Sequence, residues 1–185
     1  MINSRKDLED FIKADESRYK VRKPIILGWF LGDEGYVVRK YLRTLRMLEY
    51  YTNKRKRIWD YVPFLYLLIK FRRSRLKTGI QLNVNTIGKG LYIPHFAGGI
   101  YVNCEHMGEN CIISSGCVIG NKGGANPGKP TIGNNVEIAV GAKVIGKVSV
   151  GDNVIIAPNS VVIKDVPNNA IVSGVPATII KYKTQ

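Results

Sequence analysis

Two histidines and three cysteines are the side chains of this 185-residue protein best suited to move protons, bind metal or attack an electrophile near neutral pH. His95 lies in LYIPHFAGG, residues 91–99, where a proline and a histidine interrupt a stretch that reads as extended chain. An imidazole titrates close to neutrality, so one ring can take a proton and return it later in the same reaction. The alternative for His95 is a solvated side chain beside a corner. His106 is expected on the surface or at an interface, because a zinc site needs more ligands than it has near it. Cys111 and Cys117 fall where small side chains point inward, which makes them core residues rather than nucleophiles. No metal site is expected. The chain has no phosphate-binding P-loop and no dinucleotide glycine fingerprint, so kinase, dehydrogenase and nucleotidyltransferase chemistry are set aside.

The elements that must hold His95 are legible from a repeat. From residue 132 the chain divides into IGNNVE, IAVGAK, VIGKVS, VGDNVI, IAPNSV and VIKDVP, each opening on Ile or Val. Four residues after each opening comes a small or β-branched side chain: Val136, Ala142, Val148, Val154, Ser160 and Val166. The phase runs backwards, more loosely, to IPHFAG and IGKGLY, giving about twelve sextets. A period of six is neither helix nor hairpin. It marks a parallel β-helix in which three sextets close one triangular coil, so about four coils are expected. Inward aliphatics stack on their equivalents one coil later, and Gly, Asn or Asp near each corner takes the backbone conformation the bend needs.

These repeats, with IPHFAGGIYVN, VIGNKGG and SGVPATIIKY, resemble the left-handed β-helix hexapeptide acyltransferases, in particular the serine acetyltransferase-like family and its shorter members associated with surface polysaccharides. The resemblance spans residues 80–182, and more loosely the N-terminal region. It implies a mainly β fold, a left-handed parallel β-helix with an N-terminal α-helical segment. The expected division is a basic helical region over 1–78, the coil over 79–168, and a C-terminal tail over 169–185 that closes the coenzyme A site. It also implies a homotrimer with acetyl-CoA as co-substrate in a groove between subunits, and His95 as general base.

Sextets opening at Ile93, Ile113, Ile138 and Ile156 are expected on one face, which puts His95, Ser115, Val140 and Pro158 in a column. With strands about 4.8 Å apart, His95 and Pro158 are separated by about 14 Å, a span that suits a pantetheine arm. The resemblance places coenzyme A against Ala139, Val140, Ala157 and Pro158, with its phosphates near Lys164 and Lys181. The family orients its histidine with an upstream carboxylate; here Asn83 stands near that position, with a backbone carbonyl or a plain corner asparagine as alternatives.

Two insertions break the phase: the extra pair of residues after His95, and NKGGANPGKP at 121–130. The second lacks the His, Asp and Arg that the family's serine-specific members carry in this loop. A saccharide, free or lipid-linked, is therefore the expected acceptor, with Phe96 and Tyr101 for ring stacking and Asn103 and Asn121 for hydrogen bonds. Serine O-acetylation for cysteine biosynthesis is the runner-up, and a non-catalytic β-helix used for assembly is third.

Charge divides the chain. Residues 1–78 hold 20 Lys and Arg against 9 Asp and Glu, and residues 79–185 hold 8 against 5. Helices are expected over GYVVRKYLRTLRMLEYYTN, from the spacing of Val38, Tyr41, Leu42, Leu45, Leu48 and Tyr51, and over 58–73. They either pack on the first coil or a neighbouring subunit, or attach to an anionic membrane through NKRKR and KFRRSRLK. Nucleic acid is not expected. The odd number of cysteines without a CxxC pair and the charged N-terminus point to the cytoplasm, at the inner face of the membrane if the helices attach there.

Overall fold

The structure, a computed structural model, describes residues 1–19, 33–54, 57–124 and 128–183. Residues 55–56 of the basic run and 125–127 of the loop lie outside the described residues. Among the described residues three helices precede the coil: α1 (Arg5–Ser17), α2 (Glu34–Lys54) and α3 (Tyr61–Thr78), the last entered through a 3-10 turn at Ile58–Asp60. Helix α1 was not read from the sequence. Its start is fixed by a capping box, in which the Ser4 hydroxyl accepts from the Asp7 N–H while the Asp7 carboxylate accepts from the Ser4 N–H. Val38, Tyr41, Leu42, Leu45 and Leu48 of α2 are buried as their spacing predicts. Helix α3 begins three residues later than expected and runs five residues further. Its basic last turn carries no apolar period, and the stop is set by Gly79 in the left-handed conformation.

The coil has three parallel faces. One contains β1 (Ile80–Gln81), β2 (Ile100–Val102), β5 (Val118–Gly120), β8 (Lys143–Ile145) and β11 (Val161–Val162). The second contains β4 (Ile112–Ile113), β7 (Glu137–Ile138), β10 (Ile155–Ile156) and β12 (Ala170–Gly174), with β13 (Ala177–Tyr182) antiparallel at its edge. The third contains β3 (His106–Met107), β6 (Thr131–Ile132) and β9 (Ser149–Val150). Ile138 pairs with Ile156, eighteen residues on, whereas Ile113 pairs with Ile138, twenty-five residues on, because the 121–130 loop adds to that turn without shifting its register. All three isoleucines are fully buried. At one corner Asn135, Asn153 and Asn169 stack, each with positive φ, the Asn135 amide donating to Asn153 at 3.1 Å and the Asn153 amide donating to Asn169 at 3.0 Å.

Helices and coil share one continuous apolar core. Their junction is polar and buried. The Arg46 guanidinium on α2 donates to Asp15 of α1 at 2.8 Å, to Glu49 at 3.1 Å, and to the carbonyls of Ile87 and Gly88 at 2.8 and 2.6 Å. Asp15 in turn accepts from the Gly90 and Leu91 N–H groups, and Glu49 from the Asn85 N–H. Backbone donors and acceptors of the first corner are thus satisfied by side chains of two helices. Among the described residues no helix is long and apolar enough to cross a membrane.

Candidate active site

His95 is presented by a turn that the coil pins on both sides. Before it, Ile93 is buried, and its N–H donates to the Tyr19 hydroxyl at 2.9 Å. After it, the Gly99 N–H closes the turn onto the Phe96 carbonyl at 3.0 Å, and the extra residues include Gly98 and Gly99 at φ 89° and 77°. Gly79 and Gly99 approach closely: a Cβ on Gly79 would sit a tight 3.3 Å from the Gly99 Cα, at a φ of 70° that L side chains rarely adopt. The imidazole projects outward and is 74% exposed.

Its partner comes from the helical region. Glu34, the first residue of α2, places Oε2 at 2.7 Å from His95 Nδ1. The preceding Asp33 carboxylate accepts the Tyr36 N–H at 2.9 Å, which fixes the first turn of α2 and with it the direction of Glu34. An ionised carboxylate only accepts hydrogen bonds, so beside one Nδ1 is the protonated nitrogen, and in the neutral imidazole Nε2 then carries the free lone pair. Asn83, expected to orient the imidazole, is engaged elsewhere: its amide donates to the Asn103 side chain at 3.0 Å. The cause is register, since β1 pairs with β2 at a separation of twenty residues and so stacks Asn83 on Asn103. Glu34 was missed because no spacing in the sequence connects it with a histidine sixty-one residues away.

The remaining candidates are spread over the coil. Tyr92 bridges to Ile112, and Ile113, Ile138 and Ile156 follow in register, so Val140 and Pro158 lie along the same corner as His95. Both are exposed, Val140 at 48%, with Ala139 and Ala157 half-buried beside them. The Ala139 and Ala157 N–H groups are already donated to Ile156 and Val172. What this corner offers is therefore an apolar edge, which matches a pantetheine chain. Lys164, just after β11, and Lys181, opposite Ile171 in the terminal hairpin, are exposed towards the C-terminal end of the coil, and their charge is of the sign that suits phosphates. Phe96 is half-buried against the core, so its ring is occupied by packing. Tyr101 lies on the β1 face with its ring over Gly120, Asn103 holds Asn83, and Asn121 is exposed at the start of the long loop. His106 belongs to the third face and does not join His95. All three cysteines are free and buried; burial pushes the Cys104 and Cys111 thiols up to about 11, which removes them as nucleophiles near neutrality.

Residues 129–164 match the family model of the bacterial transferase hexapeptide, six repeats. A serine acetyltransferase of Synechococcus elongatus is 37% identical over 110 residues, 58% of this chain and 45% of that protein. The structure of Neisseria gonorrhoeae serine acetyltransferase superposes with a TM-score of 0.68 at 25% identity, covering 97% of this chain and 67% of the other. That of the Brucella abortus serine acetyltransferase in complex with coenzyme A gives 0.69 at 24% identity, covering 97% and 70%. The chain spans about half the length of the curated relatives it matches. These relatives correct the expected saccharide acceptor. That expectation rested on side chains absent from one loop, whereas the two structures that superpose over 97% of this chain are those of serine acetyltransferases. The chain thus carries hexapeptide-transferase repeats over residues 129–164 and is similar to serine acetyltransferases in sequence and in fold.

Proposed function

We propose that this protein transfers an acetyl group from acetyl-CoA to the hydroxyl of serine, with His95 as general base. The observation that carries this reading is the 2.7 Å contact between His95 Nδ1 and Glu34 on an exposed imidazole, an arrangement in which Nε2 of the neutral ring serves as the proton acceptor. Acetyl-CoA supplies the activated thioester. As the serine oxygen attacks the carbonyl carbon, Nε2 takes the hydroxyl proton; the imidazolium then returns it to the departing sulfur. Glu34 holds the tautomer throughout and stabilises the imidazolium while it exists. The apolar edge of Ala139, Val140, Ala157 and Pro158 would hold the pantetheine chain, and Lys164 and Lys181 the phosphates. Left-handed winding in about four coils, the division at 78 and 168, and a cytoplasmic setting belong to the same reading. So does a homotrimer, because a groove along one corner of a solenoid is open on one side until a neighbouring subunit covers it.

The test is thiol release from acetyl-CoA with serine added. Serine should accelerate release, and His95→Ala should lower turnover about 100- to 10,000-fold with coenzyme A binding retained. Glu34→Gln should cost about tenfold to a hundredfold in kcat with little change in KM, because it loosens the base without touching the binding edge. Light scattering should give three times 20.7 kDa. No response to serine would overturn the acceptor, and full activity in His95→Ala would overturn the mechanism.

A further inference from the structure

We propose that the outer face of α3, with the 3-10 turn before it, is a docking surface for an anionic lipid bilayer. The helix is apolar on two sides. Its inner side buries Leu67 and Phe71 in the shared core. Its outer side exposes Val62, Leu65, Tyr66 and Ile69, continuing a stripe that begins at Ile58 and Trp59, each about four-fifths exposed. Helical spacing puts these side chains on one ridge, and a ridge of this composition is not built to face water.

Charge selects the occupant. Helix α3 carries Lys70, Arg72, Arg73, Arg75 and Lys77 and no acidic residue. Between α2 and α3 lies a groove of about 540 Å³ in which Lys40, Lys70, Arg73 and Lys77 surround Tyr36 and Tyr66. Among the described residues none of these four cations has a carboxylate within ion-pairing distance. A second copy of the chain has no matching negative field, because both its helical region and its coil are net positive. A bilayer containing acidic lipids has one, and its headgroup phosphates suit the groove. The apolar ridge from Ile58 to Ile69 is about 17 Å long, enough to lie in the interface and too short to span it. Trp59 and Tyr66 are the aromatic types that settle at that depth.

The proposal does not depend on acetyl transfer, and its test uses the full chain. Trp29→Phe leaves Trp59 as the single tryptophan reporter. The protein is mixed with vesicles of equal parts phosphatidylglycerol and phosphatidylcholine, or of phosphatidylcholine alone. It should sediment with the mixed vesicles, with a blue shift of Trp59 emission, and much less with the neutral ones. Raised salt should release it. Lys70→Gln with Arg73→Gln should weaken partitioning about 25-fold, some fivefold per cation, at unchanged oligomeric mass. Equal partition onto both vesicles, indifference to the two substitutions, or a Trp59 already shielded from a collisional quencher in the free protein would overturn the proposal. The last result would assign the face to a second copy.

Discussion

Coil and helical region are held by different kinds of contact. In the coil, Ile113, Ile138 and Ile156 fill equivalent places and each supports the next. Loss of one leaves the others in register. At the helical junction, Arg46 ties together Asp15, Glu49 and the carbonyls of Ile87 and Gly88, and among the described residues no second buried cation repeats it. Repetition spreads stability over many small apolar terms, whereas a buried charge concentrates it at one side chain. The difference matters for the site, because His95 belongs to the coil and Glu34 to the helices. The docking of one region on the other sets their distance.

The sharpest way to break this contrast is Arg46→Met. It leaves Asp15 and Glu49 buried without their cation and should cost about 3–5 kcal/mol in chemical denaturation. Burial already pushes the Glu49 carboxyl up against the pull of Arg46, so removing the guanidinium should push it further in the same direction. Because Glu34 rides on the same helix, acetyl transfer should fall with stability in this variant. If the coil depended on the junction as much as the helices do, Ile138→Ala would be comparably severe. We expect less, about 2–4 kcal/mol, from a cavity its stacked neighbours partly fill.

The smallest expected effect is alkaline and belongs to the coil alone. Cys104 and Cys111 have thiols pushed from 9.0 up to about 11 by burial. Between those values the unfolded chain has lost protons that the folded chain keeps, so stability falls as pH rises through the window. The loss should be about 2 kcal/mol per thiol. Denaturation at about pH 8 and about pH 11, with Cys104→Ala alongside, isolates it as the part of the slope that the variant lacks.

The same contrast explains what could be read in advance. Period six with aliphatic openings is a local signal, so the coil, its faces and the places of its two insertions were legible, and with them the position of His95. Helix α2 was legible from Val38 to Leu48 for the same reason. Neither Arg46 nor Glu34 carries such a signal. Each is one charged residue among many in a basic region, and its meaning lies in a partner thirty-one or sixty-one residues away. Asn83 misled because its type and position suited an orienting group, while the register gave its amide to Asn103.

The stacked asparagines give the molecule a way to age. Each amide in the column of Asn135, Asn153 and Asn169 depends on the identity of its neighbour. Spontaneous hydrolysis of the middle one to aspartate would leave an acceptor where Asn169 requires a donor, and would bring a negative charge into the column. One deamidated side chain would therefore open a rung between successive turns of the coil.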